Sequence, residues 1–178
     1  MISDFSTHAK PSNNKARVYA ALSFIFAVAA FLASLPMTNY RWAPQLLGML
    51  LVIAGLVLTT RYVSAKYYYE IMTDSEGAPL FIVRQRTGKR QITLCRIYLA
   101  DIQKIEPETK EQRRAHKTPT GYTKFIYVPT FLPEDTVRIT ASGRYERSEI
   151  VIECSAEMCS LLSDCAAEAR AARIESEE

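Results

Sequence analysis

The chain has 178 residues, 48% of them hydrophobic, and 22 Lys and Arg against 19 Asp and Glu leave a net charge of +3. A mean hydropathy near zero conceals a split between a greasy first third and a polar, charged remainder. The composition argues against a structural zinc site, since there are four cysteines in no close-spaced pairs and only two histidines, His8 and His116.

Residues 1–17 form a polar, basic arm with Pro11, Ser12, Asn13 and Asn14, a composition that predicts disorder. Val18–Met37 then runs for 20 residues without a charge, enough for a helix to cross ~30 Å of hydrocarbon. It exceeds the ~7–15 residue apolar core of a signal peptide, and a second apolar run follows at once. That second run, Leu46–Thr60, has 15 uncharged residues and lengthens if Arg61 snorkels to the headgroups. Residues 18–63 therefore read as a transmembrane helical hairpin with its turn at Thr38–Gln45. Ala29/Ala33, Ala30/Ser34 and Gly48/Gly55 offer small residues for close helix contact.

Lys10, Lys15 and Arg17 precede the first run, and Arg61, Lys66, Arg84, Arg86, Lys89 and Arg90 follow the second, while the turn holds only Arg41. Positive residues stay on the cytoplasmic side, which predicts a two-pass protein of the inner or plasma membrane with both termini cytoplasmic. Tyr19, Tyr40, Trp42 and Tyr62 near the span ends suit the interface. Cys95, Cys154, Cys159 and Cys165 then lie in a reducing compartment, where free thiols are expected.

Residues 64–174 read as one β-rich domain. Short alternating segments at Lys66–Met72, Leu80–Arg86, Arg90–Arg96, Asp101–Glu106, Tyr122–Val128, Thr136–Ala141 and Glu149–Cys154 predict seven strands. Thr87-Gly88 marks a tight hairpin, and Pro107–Thr120 a long charged loop. After Ser155, a plausible N-cap, Met158, Leu161, Leu162, Cys165, Ala169 and Ala172 recur at helical spacing. Glu157 stands in that helix's first turn, Arg170 and Arg173 are placed in its last, and the acidic tail 175–178 is expected to fray.

Seven antiparallel strands and one amphipathic C-terminal helix behind a membrane hairpin resemble the bacterial pleckstrin-homology-like (PH-like) domains that follow transmembrane helices. The pattern Ile97-Tyr98-Leu99-Ala100-Asp101-Ile102-Gln103-Lys104-Ile105 is similar to a strand start common in that group, and Tyr68-Tyr69-Glu70-Ile71 to its first strand. The resemblance covers roughly Lys66–Ile174 and implies a scaffold or binding module at the membrane, with no defined activity.

From Arg84 to Lys117 ten Lys and Arg face four acids. Lys89, Arg90, Lys110, Arg113, Arg114 and Lys117 are the candidate contacts for anionic lipid headgroups or an anionic partner, each cation gaining about 1 kcal/mol near an anionic leaflet. The alternative is a solvated surface with the ordinary positive-inside bias. No GxSxG, HExxH or P-loop occurs, so a non-enzymatic module without cofactors is expected, and a triad of Asp101, His116 and a serine has no motif behind it. Exposed aromatics are not interleaved with the cations, so no nucleic-acid partner is expected. The rival reading is an accessory subunit of a larger membrane complex, a transporter or envelope machinery, with the hairpin making the contacts to a membrane protein or a second copy.

Overall fold

A computed structural model describes residues 5–9, 11–37, 39–75, 77–143 and 147–177, with the side chains of residues 176 and 177 left aside. Lys10 of the flanking charge and Glu178 of the acidic tail lie outside the described residues. The chain divides into two units, Ser12–Ala65 and a second made of Met1–Pro11 with Lys66–Glu178.

The first unit is a helix pair, α1 (Lys15–Ala33) and α2 (Trp42–Leu58), the latter prolonged by a π-helical turn at Thr59–Val63. Both are long and apolar enough to cross a membrane, with 19 residues in one and 22 in Trp42–Val63. Ala16, Ala20, Ala27 and Ser34 are buried on one side, and Gly48 and Gly55 on the other. A Cβ at Gly48 would stand 2.9 Å from the Phe31 ring and 3.2 Å from the Ala27 carbonyl oxygen, and one at Gly55 would stand 3.0 Å from the Phe24 ring. The seven-residue spacing of Phe24/Phe31 matches that of Gly48/Gly55, so two rings fill two gaps left by missing side chains. Ala29 and Ala33, expected at this contact, are exposed. Thr59 and Thr60 donate their hydroxyls to the Gly55 and Leu56 carbonyls at 2.8 and 2.9 Å, back-bonding to the preceding turn of the helix.

The second unit holds two four-stranded sheets. Strands β1 (Phe5–Ala9), β2 (Ala65–Thr73), β3 (Pro79–Thr87) and β4 (Arg90–Tyr98) form the first in that order. Strand β1 corrects the expectation of a disordered arm, because Phe5 pairs with Ile71 and Ala9 with Tyr67 along an edge of β2 that would otherwise be open. A β-bulge between Val83 and Arg84 leaves Leu94 unmatched in the β3–β4 ladder. The Leu94 carbonyl accepts instead from the Tyr127 hydroxyl at 3.2 Å.

Strands β5 (Ile102–Thr109), β6 (Thr123–Tyr127), β7 (Asp135–Ser142) and β8 (Arg147–Ile152) form the second sheet in the order β5-β7-β8-β6. The described strands number eight rather than seven, and they are not all antiparallel, since β6 runs parallel to β8. Strands β5 and β6 occupy opposite edges, so the chain between them must cross the sheet. That stretch, expected as loop, opens with a short helix, α3 (Lys110–Ala115), whose N-terminus carries a Thr109/Gln112 capping box.

The core lies between the sheets and under α4 (Ala156–Glu177). Tyr69, Ile71, Phe81 and Val83 of the first sheet, Ile139, Ile150 and Ile152 of the second, and Met158 and Leu162 of α4 are all essentially inaccessible. Tyr69 pins the sheets together. Its hydroxyl donates to the Tyr127 carbonyl at 2.7 Å and accepts from the Glu153 amide at 3.3 Å. The buried stripe of α4 is Met158, Leu162, Ala166 and Ala169, narrower than the sequence suggested, with Leu161 and Cys165 half-buried and Ala172 exposed. Ser155 caps the helix through Met158 N at 3.3 Å, as its sequence predicts. Because α4 reaches Glu177, Arg170 and Arg173 fall before its last turn, and Arg173 pairs with Asp101 at 2.9 Å instead.

Candidate functional site

The six cations singled out in the sequence fall on two different elements. Lys89 and Arg90 stand exposed at the two-residue turn between β3 and β4, where Gly88 has φ of 61° and its carbonyl accepts from Arg86 Nε at 3.1 Å. Glycine adopts that angle at no steric cost, and the turn leaves both cations exposed. Lys110, Arg114 and Lys117 are also exposed, on or just after α3. Arg113 is different. Its guanidinium donates to Thr136 Oγ1 at 3.1 Å and to the Pro133 carbonyl at 2.7 Å, so it fastens α3 to β7 and the loop before it.

Strands β2 and β3 are consecutive neighbours joined by a tight turn in which Asp74 N donates to the Ala78 carbonyl at 2.9 Å. The Lys89 turn therefore sits at the end of the sheet where Ala65 begins β2 and Ala9 ends β1. Both connections to the apolar helix pair leave from that end.

The crossing segment builds a second cluster, which sequence reasoning missed. Alternation in the second sheet turns Val137, Ile139, Ile150 and Ile152 to the core and leaves Glu108 of β5, Arg138 of β7, Glu149 of β8 and Lys124 of β6 on the outer face. His116, just past α3, lies across that face. Its Nε2 is 3.1 Å from Glu149 Oε2 and its Nδ1 is 2.5 Å from Arg138 Nη1. Arg138 also pairs with Glu108 and reaches Glu149 Oε1 at 3.3 Å, while Lys124 Nζ is 3.5 Å from the same oxygen. The Glu149 side chain is only 1% exposed, and Arg138 10%.

An arginine cannot accept a hydrogen bond, so Nδ1 must be the accepting nitrogen and Nε2–H the donor to Glu149. Burial works against the Glu149 charge, yet the His116 bond and the Lys124 and Arg138 charges together hold its carboxyl below the usual range. Both ring nitrogens of His116 are thereby occupied, and Asp101 is taken by Arg173, so the paper triad of Asp101 and His116 is not assembled. The only sequence signal for the cluster was the charge alternation Lys104-x-Glu106-x-Glu108, which looks the same on a solvated strand.

A groove of about 820 Å³ runs between β5 and α4, lined among others by Pro107, Thr136, Cys154, Cys159 and Ser163. Cys154 lies between β8 and α4, and Cys159 stands in the first turn of α4, where its amide donates to the Ser155 carbonyl at 3.0 Å. The neighbouring Cys159 thiol together with burial raises the Cys154 thiol, and the neighbouring Cys154 thiol lowers Cys159 below its ordinary range. Burial pushes Cys95 up to about 11, and burial with the nearby Glu168 and Asp164 raises Cys165.

No family model, curated protein or solved structure matches this chain.

Proposed function

We propose that the protein is a two-pass membrane protein with both termini cytoplasmic, whose β-domain is a non-enzymatic, PH-like interaction module that touches anionic lipid through its basic turns. The observation that carries this reading is the β1–β2 pairing. The arm before α1 and the strand after α2 share one ladder, so an even number of crossings separates them, as the positive-inside rule requires. The helix pair keeps Ile25, Phe26, Val28, Leu32, Leu47, Met49 and Ile53 half or more exposed, an apolar surface that suits lipid far better than water. The turn bearing Lys89 and Arg90 stands at the end of the sheet from which both connections to that pair leave.

Seven strands in two sheets with a helix closing the core support the PH-like reading. The added strand β1 and the parallel β6–β8 pair are its departures.

The test uses residues 1–11 joined by a short Gly/Ser linker to residues 66–178, cosedimented with vesicles of phosphatidylcholine alone or mixed with phosphatidylglycerol. Binding is expected only to the anionic vesicles and is expected to fade as salt rises and exposed charges are screened. Replacing Lys89, Arg90, Arg114 and Lys117 with Ala should remove about 1 kcal/mol each and abolish it. Equal binding to both vesicles, or an unchanged quadruple variant, refutes the lipid contact. Arg113 is left in place because it fastens α3.

A further inference from the structure

We propose that His116 is a pH-sensitive latch: with its ring neutral it fastens the segment between β5 and β6 onto the outer face of the second sheet, and a second proton on the ring releases that segment. The inference is independent of the lipid reading. It stands on the two bonds of the ring. Nδ1 accepts from Arg138 Nη1 at 2.5 Å and Nε2 donates to Glu149 Oε2 at 3.1 Å, so the ring fits this place only with Nδ1 bare. A proton added at Nδ1 would face the guanidinium, two donors with no acceptor between them. Arg138 is the less able to give way, being 10% exposed and paired with both Glu108 and Glu149 Oε1.

The charges around the ring are already balanced. The sheet presents Lys104, Glu106 and Glu108 on β5, Lys124 on β6, Arg138 on β7 and Glu149 on β8, three cations against three acids. The ring's own segment adds Lys110, Arg113, Arg114 and Lys117 against Glu111. An imidazolium would be a surplus cation beside a carboxylate only 1% exposed, where water screens little. The segment is lightly held. Among residues 110–121 none is buried, and its other side-chain ties to the domain are Arg113 and, at its far end, the Tyr122 hydroxyl 3.4 Å from Gln103 Oε1. An imidazole in water gains its second proton near about pH 6.5. Glu149 is still ionised there, because its carboxyl lies below its ordinary 4.5. The latch is therefore complete above the imidazole range and is lost as pH falls through it, before Glu149 takes a proton. Release lets the stretch bearing Arg114 and Lys117 leave the sheet and opens Glu149 to water.

The test is amide hydrogen exchange of the full chain in mild detergent at about pH 7.5 and about pH 5.5, on either side of the imidazole range. Each rate is taken relative to that of an unstructured peptide at the same pH, and the segment is read by mass spectrometry. Protection across residues 110–127 is expected to fall by about tenfold or more at the lower pH, while β7 and the buried part of α4 keep theirs. In His116→Gln the side-chain amide can accept and donate but takes no proton, so its protection should be the same at both values. The chain has only two histidines, so nitrogen NMR of the labelled rings reads His116 directly and should show the proton on Nε2 at about pH 7.5. The proposal is overturned if the parent keeps its protection at the lower pH, or if His116→Gln loses as much as the parent. It is also overturned if the neutral ring carries its proton on Nδ1. The parent's exchange and its ring tautomer decide the matter even if the Gln variant fails to fold.

Discussion

Removing Arg138 should cost the β-domain more than any single surface change, because it would leave two buried carboxylates facing each other. The Glu108 and Glu149 side chains are 3% and 1% exposed, and Arg138 lies against both. One ion pair at 3.3 Å carries about 5 kcal/mol at an effective dielectric constant near 20, most of it offset by the cost of drying the charges. Breaking such a pair by removing one partner typically costs about 3–5 kcal/mol. Arg138→Leu should fall at or above the top of that range, since His116 Nδ1 also loses its donor. Glu149→Gln should cost less, roughly 2–3 kcal/mol, because Arg138 keeps Glu108 and Lys124, at 27% exposure, can turn to water. The assay is urea denaturation of the full chain in mild detergent, followed by circular dichroism in the β region. Acid should act through the same residue. The folded-state value of Glu149 lies below its ordinary 4.5, so its contribution is complete above about pH 4.5 and is lost as pH falls through the lower folded value. An Arg138→Leu protein within 1 kcal/mol of the parent, or one more stable than Glu149→Gln, would refute the account of a buried, mutually dependent cluster.

Tyr69→Phe deletes a hydroxyl that serves both Tyr127 O and Glu153 N, so it should cost about 1–3 kcal/mol in the same urea assay while leaving the ring packing intact. Gly48→Leu with Gly55→Leu should push Phe31 and Phe24 out of their places, and cysteine cross-linking between α1 and α2 in membranes should fall well below that of the parent. Deleting residues 1–9 bares the β2 edge, and hydrogen exchange of alternate β2 amides from Tyr67 to Ile71 should rise by orders of magnitude, with aggregation at high concentration. Cys95, raised to about 11, should alkylate slowly at pH 8 and faster as pH climbs toward that value.

What the sequence by itself determined is whatever depends on local period. Twenty uncharged residues from Val18 declare a helix of spanning length, the alternation in Leu80–Arg86 declares a strand, and the spacing of Met158 and Leu162 declares the face of α4 that meets the core. Each is decided within a few turns or a few residues, where side-chain direction follows from backbone geometry alone. The arm was beyond that reach. Phe5–Ala9 has no period strong enough to fold unaided, and it becomes a strand only because β2, more than fifty residues later, offers an open edge. The crossing segment was beyond it for the same reason: its route from β5 to the far edge of the sheet is a property of strand order. Glu108, Glu149 and Arg138 are written as ordinary surface charges, and nothing local distinguishes a carboxylate in water from one sealed under His116. Only the tertiary structure could place that imidazole between Arg138 and Glu149, because burial and pairing arise from segments that are neighbours in space and not along the chain.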